Sequence, residues 1–553
     1  ISVAAVGLAA GGVVIAAPPL AVQAAPVSIT LLNVNDFHGR IDTTNNLTTR
    51  WATAIEDQRA IDPSALLLAA GDLIGASLFN SAIQNDQPTI DVMNEMCLNA
   101  SSVGNHEFDK GYTDLTTRVI NGTPGQATDP CPVIAGTSSP GTNALWSYLG
   151  ANVYQKGTQT PALPEYATFV VNGVTVGVIG AVTSEMPALV SPGGITQIDV
   201  GDPVAAVNRV ADQLTDGNGA NGEADVVLAS LHEGAGNGKL SAEANAAASA
   251  AFDSIYRDID PRVTAIFNAH THQEYTYTSA NQAGRPIIQA GSYAGKLARV
   301  GLVVDTVGKG VCEVSQEIVS PAAESDESLP RIEQINDIAR AAYDVAMEEG
   351  QRVIGTAKAA ISTAGDKGNA DIRNVESPMS NLVAQMFSAT LSNGDKEFIG
   401  VQNPGGTRDS FDKGDVTFRE AALTLPFANS LFTTSLTGAQ FKKVLEQQWQ
   451  RDLNGNVPTR AFLQLGLSKN VSYTYDESLP EGSRITSVSM NGKPMSMKKT
   501  YRVGSGSFLI TGGDKEHAIN ELGAMGDIPA SRVSVDGTDA LVALPMPLLQ
   551  ELD

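Results

Sequence analysis

The sequence predicts a layered α/β domain followed by a smaller α+β domain, with a helix between them. With 553 residues, the chain is long enough for two large domains or three smaller ones. Short runs rich in Val, Ile and Leu alternate with helical stretches up to about Val319, as in a layered α/β domain. A helical pattern and then hairpin-like segments follow. We therefore place the domains at 26–324 and 356–553, with a linker helix at 325–355.

The first 25 residues are apolar, carry no charge and end in small residues. This composition is typical of the apolar part of a secretory signal, and we place cleavage near Ala24 or Ala25. The alternative is a membrane anchor, but Pro18 and Pro19 break the run before it reaches the ~20 residues that a span needs. We therefore expect a residual signal peptide at 1–25. The mature protein is expected outside the cytoplasm, at the cell surface or in a periplasm-like space, without a stable membrane span.

Five short segments of the first domain have the composition of buried strands, and each ends in a cluster of polar residues. A hairpin is predicted in FVVNGVTVGVIG (169–180), where Asn172-Gly173 forms the turn between alternating strands. The five segments are VSITLLNV (27–34), SALLLAAGD (64–72), ADVVLASLH (224–232), TAIFNAH (264–270) and RPIIQAGSY (285–293).

Helical spacing and turn residues define the linker and the second domain. Between residues 325 and 355, apolar residues recur at helical intervals, and the acidic start of the segment suits a helix N-terminus. In the second domain, Thr437 and Gln440 have the spacing of a capping box at the start of another helix. Asn491-Gly492 indicates a hairpin turn.

The net charge limits the kinds of molecule that the protein can bind, and the cysteines suggest which disulfide it can form. The formal net charge of −24 repels nucleic acid polymers and anionic membranes, so we expect a small-molecule partner. A small anion would also be repelled at long range, so a site for one must create its own local positive field. Of the three cysteines, Cys97 and Cys131 are the nearest candidates for a disulfide, which leaves Cys312 over. Three buried free thiols are the alternative.

Five of the six histidines lie at or just after the ends of strand-like runs, beside Asp, Asn or Gly. Loops at strand ends bring distant residues to one point in open α/β sheets. The spacing of two in DxH and HxH lets both side chains converge once the chain turns. The segments are NVNDFHGR (33–40), AAGDLIG (69–75), VGNHEFDKG (103–111), ASLHEG (229–234) and NAHTHQE (268–274).

Together these segments offer three or four nitrogen and oxygen ligands to each of two divalent ions. No cysteine has metal-type spacing, so His, Asp and Asn would hold the ions. Two ions ~3.5–4 Å apart with a bridging carboxylate form a clamp for in-line displacement at phosphorus. Zn or Mn is favoured, and Fe or Co would suit the same ligands. A single HxH is more often a surface loop, so the prediction depends on all five segments together.

The ordered series DxH, GD, GNHE, H and HxH resembles the calcineurin-like metallophosphoesterases. GNHEFD with the downstream segments is similar to the 5'-nucleotidase branch, which includes periplasmic 5'-nucleotidases/UDP-sugar hydrolases and ecto-5'-nucleotidases. The resemblance extends over almost all of residues 27–515. It implies an α/β-β-α metallophosphoesterase domain followed by a smaller α+β substrate-binding domain.

The resemblance also implies a role for each residue of the five segments. His106 would contact the phosphate and stabilise the charged transition state, with Asp109 orienting its ring. The alternative for Asp109 is an acid at a helix N-terminus. The implied metal ligands are Asp36, His38 and His272 for one ion, Asn105, His232 and His270 for the other, and Asp72 as the bridge.

The chain departs from the family pattern in three places. Ala269 precedes His270 where the family often has Gly, and the requirement for a small residue is kept. His272 stands where the family often has Gln, and this stronger ligand is expected to alter metal preference. A longer loop at 135–153 has no assigned role.

A nucleoside site in the second domain is likewise implied by the resemblance. Two aromatic rings would stack the base, a carboxylate would hold the ribose, and arginine and amide groups would orient the substrate. Taken singly, such a Phe is usually a core residue and such an Arg is usually solvated. The matching residues are Phe427 and Phe508 for the base, Asp514 for the ribose, and Arg373, Asn403 and Arg408 for orientation.

The implied activity is hydrolysis of nucleoside 5'-monophosphates to nucleoside and phosphate by a metal-bound hydroxide. The first alternative is a broader phosphohydrolase that acts on UDP-sugars, 2',3'-cyclic nucleotides or nucleoside di- and triphosphates, because the same ions and rings would serve. A non-catalytic nucleotide-binding surface protein is the second alternative. Such a protein would lack a metal ligand or His106, and here all are present. The sequence does not indicate the oligomeric state.

Overall fold

The computed structural model describes residues 25–41, 43, 46–190, 192–363, 372–426, 431–450, 461–506, 509 and 531–532. The predicted signal peptide, apart from Ala25, lies outside the described residues. Phe427, Phe508 and Asp514 of the predicted nucleoside site also lie outside them. Among the helices that are described, none has the length and apolar character needed to cross a membrane.

Two sheets and the helices that cover them make up the first domain. Its strands are β1 (Val27–Val34), β2 (Leu66–Ala69), β3 (Ala100–Ser102), β4 (Ser147–Leu149), β5 (Val153–Gln155), β6 (Tyr166–Val171), β7 (Val174–Val182), β8 (Ile198–Val200), β9 (Val226–His232), β10 (Val263–Asn268), β11 (Glu274–Thr278), β12 (Pro286–Ala290), β13 (Leu297–Val304) and β14 (Val311–Val319). Its helices are α1 (Leu47–Ile61), α2 (Phe79–Ala82), α3 (Gln87–Glu95), α4 (Tyr112–Asp114), α5 (Met186–Leu189), α6 (Pro203–Gln213), α7 (Ala242–Ala248) and α8 (Ala250–Asp258). Shorter helical turns lie at His106–Phe108, Leu115–Ile120 and Pro192–Gly194.

Each large sheet has six strands, and most neighbours within it run parallel. The first sheet has the order β14-β13-β1-β2-β3-β4, in which β1 to β4 are parallel. The second has the order β11-β12-β10-β9-β7-β6, in which β12, β10, β9 and β7 are parallel. The carboxyl ends of the parallel strands therefore lie along one edge of each sheet.

The two sheets pack face to face, and helices cover both outer faces. Successive residues of a strand point to opposite faces, so β1 contributes to two cores. Ile29 and Leu31 join Leu228 of the second sheet in the core between the sheets. Leu32 joins Trp51 of α1 in the outer core of the first sheet. Residues of α6 and α8 cover the outer face of the second sheet. The layers are helix, sheet, sheet and helix, which confirms the predicted layered α/β fold.

The hairpin predicted at Asn172-Gly173 is present between β6 and β7. The segment at 135–153, which the sequence analysis treated as a loop, is not a loop throughout, because it contains strand β4 (Ser147–Leu149), which pairs with β3 in the first sheet. The start of the segment contributes to the edge of the second sheet. The amide of Val170 donates to the carbonyl of Ala135 at 2.6 Å, and the amide of Thr168 donates to the carbonyl of Thr137 at 2.7 Å. The start of this segment therefore runs along β6 and covers backbone groups of an edge strand, which would otherwise be open to pairing with another chain.

A disulfide joins Cys97 to Cys131, with 5.5 Å between their Cα atoms, which confirms the predicted pair. Cys312 is free and exposed, so the alternative of three buried thiols is wrong. Arg331, a buried residue of the linker helix, connects this helix to the disulfide. Its guanidinium donates to Cys97 Sγ at 2.9 Å and forms an ion pair with Asp129 Oδ2 at 2.9 Å.

The linker helix is α9 (Pro330–Gly350), which lies within the predicted segment. Its first half packs on the first domain, where Ile332 and Ile335 belong to the same core as β1. Near its end, Ala346 belongs to a cluster with Phe79 of the first domain and Phe418 of the second. The helix thus shares an apolar cluster with each domain.

The second domain surrounds a five-stranded sheet with the order β19-β16-β23-β18-β24. Small sheets β15-β17 and β20-β21-β22 lie beside it. Its elements are β15 (Val353–Ala357), α10 (Pro378–Leu391), β16 (Ile399–Gln402), β17 (Gly414–Thr417), α11 (Phe418–Thr424), β18 (Leu431–Thr437), α12 (Gly438–Glu446), β19 (Gly466–Leu467), β20 (Val471–Tyr475), β21 (Ile485–Met490), β22 (Lys493–Pro494), β23 (Thr500–Gly506) and β24 (Ser531–Arg532), with a 3₁₀ turn at Pro404–Gly406.

Helices α10 and α12 belong to different apolar clusters of this domain. Met386 of α10 packs with Phe411, whereas Phe441 of α12 packs with Ile399 of β16. The capping box predicted at the start of α12 is present, since the side chains and amides of Thr437 and Gln440 bond reciprocally. The hairpin turn predicted at Asn491-Gly492 joins β21 to β22. Mixed strands and helices confirm the α+β class of the second domain.

Candidate metal centre

The carboxyl ends of five parallel strands meet where the two large sheets face each other. Strands β1, β2 and β3 of the first sheet are followed by Asp36, Asp72 and Asn105. In the second sheet, β9 ends at His232 and β10 is followed by His270. The two central parallel sets thus deliver ligands from both sheets to one place, as the sequence pattern predicted.

The first ligand group consists of Asp36, His38 and His272, whose ligand atoms all lie within 4.8 Å of one another. The Nε2 atoms of the two imidazoles are 3.2 Å apart, and His272 Nε2 lies 3.6 Å from Asp36 Oδ1. Imidazole nitrogens and a carboxylate at this spacing fit one divalent transition-metal ion.

Asp72 belongs to more than one group of candidate ligands. Its Oδ2 lies 3.6 Å from His38 Nε2 and 3.1 Å from His232 Nε2. Together with His232 and His270 it forms a second group within 4.8 Å. The Oδ1 atom of Asn105 lies 3.2 Å from His232 Nε2, so the amide also reaches this group. A carboxylate between two sets of imidazoles is the arrangement expected of a bridging ligand.

Two carbonyls fix the orientation of histidine rings in the centre. His38 Nδ1 lies 2.9 Å from the Gly75 carbonyl, and His232 Nδ1 lies 2.8 Å from the Ala70 carbonyl. Each Nδ1 then carries the proton that it donates, which leaves Nε2 as the free ligand atom.

Left-handed backbone conformation is common to the ligands that follow strands. Non-glycine residues rarely adopt positive φ, although Asp and His tolerate it better than most, and such strain is concentrated at functional sites. It turns the chain sharply, so that side chains two residues apart converge. The φ values are 50° for Asp36, 49° for His38, 51° for Asp72, 71° for His270 and 56° for His272.

Burial and mutual charge shift the protonation of these side chains. Burial lowers the pKa of His38 and of His270 to about 3, so both imidazoles are neutral at pH 7, as metal ligands must be. Burial raises the pKa of Asp36 to about 7. Burial opposes the charging of His232, but Asp72 outweighs it and raises the pKa of His232 to about 9. Asp72 and His232 therefore attract each other strongly.

His106 lies beside the ligands and is oriented by a carboxylate. Its Nδ1 lies 2.8 Å from Asp109 Oδ2, and its backbone amide donates to Asp72 Oδ1 at 2.9 Å. Its ring centre is 5.0 Å from that of His38, and with His38 and Asp72 it forms a third group within 4.8 Å. Because Asp109 engages Nδ1, Nε2 remains for an ion or a bound ligand. Asp109 contacts the ring directly, which favours the orienting role over a purely helix-terminal one.

Glu107 is a buried member of the site that our sequence reasoning missed. Its carboxylate accepts hydrogen bonds from the amides of Asp72 at 2.9 Å, Leu73 at 2.8 Å and Gly104 at 2.6 Å. It therefore joins the loop after β2 to the loop after β3. Gly104 is required there, because a Cβ at this position would lie 2.1 Å from Asp72 Oδ1. Glu107 is the last residue of the GNHE segment, but its role in joining the two loops is visible only from its hydrogen bonds.

The described part of the nucleoside site surrounds the turn at Pro404–Gly406. A Cβ at Gly405 would lie 2.9 Å from Arg373 Nη1 and 3.8 Å from Asn403 Nδ2, and Arg408 Nη1 donates to the Gly405 carbonyl at 3.4 Å. The three polar residues predicted to orient the substrate thus lie around one turn. The predicted stacking and ribose-binding residues are outside the described residues.

Comparison with known proteins gives two family matches that divide the chain. Residues 29–274 match the calcineurin-like phosphoesterases, and residues 353–521 match the 5'-nucleotidase C-terminal domain. The crystal structure of a 5'-nucleotidase precursor from Thermus thermophilus has the same fold, with a TM-score of 0.62 at 22% identity over 95% of this chain and 97% of that chain.

Two curated relatives match along most of the chain. Endonuclease YhcR of Bacillus subtilis is 27% identical over 91% of this chain, and cell wall protein Lmo0130 of Listeria monocytogenes is 28% identical over 88% of it. The chain spans 39% of the length of the first protein and 64% of the second. With both domains matched in this order, the chain belongs to the 5'-nucleotidase family, in which a calcineurin-like phosphoesterase domain precedes a 5'-nucleotidase C-terminal domain.

Proposed function

We propose that this protein is a secreted two-metal 5'-nucleotidase that hydrolyses nucleoside 5'-monophosphates to nucleoside and phosphate. The observation that carries the proposal is the position of Asp72, whose Oδ2 is 3.6 Å from His38 Nε2 and 3.1 Å from His232 Nε2. A carboxylate held between imidazoles of two sheets suits a pair of ions. The two matched domains agree with this activity.

Seven side chains would hold the two ions. When bound, a pair of divalent ions supplies an activated water and neutralises charge on the phosphoryl oxygens. The chain fixes the position of the proposed bridging ligand, because Asp72 is held by Glu107 through its backbone and by His232 through its side chain. Zn or Mn is the favoured metal. The proposed ligands are Asp36, His38, His272, Asp72, Asn105, His232 and His270.

His106 is proposed as the catalytic side chain that contacts the phosphoryl group. Asp109 fixes the ring through Nδ1 at 2.8 Å and keeps a proton on it. Burial opposes the charging of His106, but Asp109, together with Asp72 and Glu107, outweighs burial and raises the pKa of His106 to about 10. A protonated Nε2 beside the ligands can stabilise negative charge on the phosphoryl oxygens and protonate the leaving oxygen.

The second domain would hold the nucleoside. Arg373, Asn403 and Arg408 lie around one turn and would orient the substrate through charge-assisted hydrogen bonds. Stacking by Phe427 and Phe508, and ribose binding by Asp514, complete the proposal from the family resemblance. The endonuclease name of YhcR is not carried over, because this chain spans 39% of that protein and has a net charge of −24.

An extracytoplasmic location is part of the proposal. The disulfide between Cys97 and Cys131 is typical of oxidising compartments. The apolar composition of residues 1–25 is typical of a secretory signal, and the relative Lmo0130 is named a cell wall protein. Fractionation of the producing cells, followed by immunoblotting, would test the location. Recovery of the protein only in the cytoplasm would contradict it.

A phosphate-release panel tests the activity. The purified protein is stripped with a chelator, reloaded with Zn or Mn, and assayed with AMP, UDP-glucose, ADP and 2',3'-cyclic AMP. We expect AMP to be the best substrate, and a better rate with UDP-glucose or the cyclic nucleotide would favour the broader phosphohydrolase. Protein that binds AMP but remains inert with every ion would instead be the non-catalytic nucleotide-binding protein.

The same panel tests His106. We expect His106→Ala to lower kcat for AMP by about 100- to 10,000-fold with little change in KM, since general acid–base groups contribute this much to turnover. Metal content is measured on the same samples. If turnover survives the substitution with both ions bound, the assigned role is wrong.

A further inference from the structure

Arg40 and Tyr293 form a pair beside the first ligand group. The Arg40 guanidinium lies over the Tyr293 ring, 4.0 Å from the ring centre. The ring centre of Tyr293 is 5.1 Å from that of His272 and 5.6 Å from that of His38. The ring that carries the Arg40 guanidinium thus contacts two proposed metal ligands, although the sequence pattern singled out neither member of the pair.

Backbone contacts attach both residues to the ligand loops. The Arg40 amide donates to the Phe37 carbonyl at 3.2 Å, and the Tyr293 amide donates to the Asp36 carbonyl at 2.9 Å. Arg40 follows His38 by two residues, so its position is set by the same sharp turn. The pair is therefore positioned as precisely as the ligands themselves.

The Arg40 guanidinium is paired with a ring, and no carboxylate of the described residues lies within ion-pair distance of it. Within the same part of the chain, its Nε–H is buried and has no hydrogen-bond partner. Stacking uses the face of a guanidinium and leaves its N–H edges for oxygen acceptors.

We propose that Arg40, held by Tyr293, binds the terminal phosphoryl group of the substrate and makes the site selective for phosphomonoesters over phosphodiesters. This inference rests on the proposed function. A phosphomonoester near neutral pH carries a charge of about −1.5 to −2 and three terminal oxygens. A diester has one negative charge and two such oxygens. The planar guanidinium of Arg40 can donate two parallel hydrogen bonds to phosphoryl oxygens, and its positive charge therefore favours binding of the monoester over the diester.

Matched substrates test this selectivity. The kcat/KM of metal-loaded protein is measured with p-nitrophenyl phosphate and with bis(p-nitrophenyl) phosphate, which share a leaving group. We expect Arg40→Met to lower the monoester value by about 10- to 100-fold, mainly through KM, and the diester value by less than about threefold. Arg40→Lys, which retains the charge without the fork, should restore part of the loss.

Controls separate selectivity from general damage. Arg257 lies over the Tyr256 ring at 5.2 Å on α8, so Arg257→Met removes a similar pair outside the ligand groups and should keep the monoester-to-diester ratio. Metal content is measured for each variant. If Arg40→Met lowers both substrates equally, or neither, the inference is overturned while the proposed function stands. If the metal-loaded wild-type protein hydrolyses neither AMP nor the two test compounds, the proposed function is wrong and this inference fails with it.

Discussion

Glu107 holds two loops of the metal centre in place through backbone amides. Its carboxylate accepts from the amides of Asp72 and Leu73 in the loop after β2 and of Gly104 in the loop after β3. Burial and the nearby Asp72 raise the pKa of Glu107 to about 7, and the hydrogen bonds from the backbone amides offset part of that cost. The position of the bridging Asp72 therefore depends on a residue that is not a ligand.

We expect Glu107→Gln to weaken metal binding by about 10- to 100-fold, the usual effect of removing a group that orients ligands. The amide nitrogen of Gln cannot accept, so at least one backbone amide loses its partner. Competition with a chromogenic chelator measures the change. Glu95→Gln is the matched control, because buried Glu95 likewise accepts two backbone amides, from Thr128 and Asp129, in the disulfide loop.

Both Glu variants should lose about 1–3 kcal/mol of unfolding free energy, the cost of an unsatisfied buried group. Only Glu107→Gln should also lose metal affinity. Equal metal affinity in the two variants would contradict the assigned role of Glu107.

The pair of His106 and Asp109 gives the chelator-treated protein a specific pH dependence. Burial opposes the charging of His106, but Asp109, together with Asp72 and Glu107, raises its folded-state pKa from 6.5 to about 10. A raised histidine pKa stabilises the fold fully below the unfolded value and progressively less as pH rises through the folded one. The stability difference between wild type and Asp109→Asn should therefore be largest below pH 6.5 and shrink towards pH 10. Urea unfolding at several pH values measures it, and a difference independent of pH would contradict the pairing.

At the scale of elements, the strands that carry ligands were predictable and their neighbours were not. β1, β2, β9 and β10 are buried on both faces, so each reads as a continuous apolar run that ends in polar residues. The order of strands within and between the sheets depends on long-range pairing, which local patterns do not encode. Tyr293, for example, is the last residue of the predicted segment 285–293, but its contact with Arg40 depends on the pairing of distant segments.

Two other elements escaped prediction for physical reasons. The segment at 135–153 was treated as a loop because β4 within it has only three residues, and the start of the segment contacts β6 through backbone groups. Arg331 lies in the predicted linker helix, but its burial against the disulfide depends on how α9 packs on the first domain. Capping and hairpin turns were predictable, because local sequence determines them.

The disulfide loop should contribute to stability without contributing to metal binding. Cys97 and Cys131 are 34 residues apart, and closing a loop of this size in the unfolded chain is worth about 4 kcal/mol. We expect Cys97→Ala/Cys131→Ala to lose up to that amount in urea unfolding and to bind metal as the wild type does. Cys312→Ser, which changes an exposed free thiol, is the control and should leave stability unchanged. A double variant with weakened metal binding would contradict this separation.

At the scale of the whole molecule, the two domains are coupled through α9 and a small apolar contact. Ile332 and Ile335 of α9 pack in a core of the first domain. Ala346 of the same helix packs in an apolar cluster with Phe79 of the first domain and Phe418 of the second. The metal centre itself lies entirely within the first domain. The stabilising effect of the ions should therefore be concentrated in that domain.

Hydrogen exchange by mass spectrometry can locate this effect. Ions that bind only the folded state stabilise it by about 2.7 kcal/mol at a hundredfold excess over Kd, and this slows the opening of the segments that they connect. Removing the ions should speed exchange in the five ligand loops at 33–40, 69–75, 103–111, 229–234 and 268–274. Strands β16 and β23 of the second domain should exchange at the same rate with and without ions. Because Asp72 is the ligand shared by the groups, Asp72→Asn should abolish the response of all five loops at once, including those of the second sheet. If only the loops after β2 and β3 lose their response, the ions bind independently and Asp72 does not bridge them.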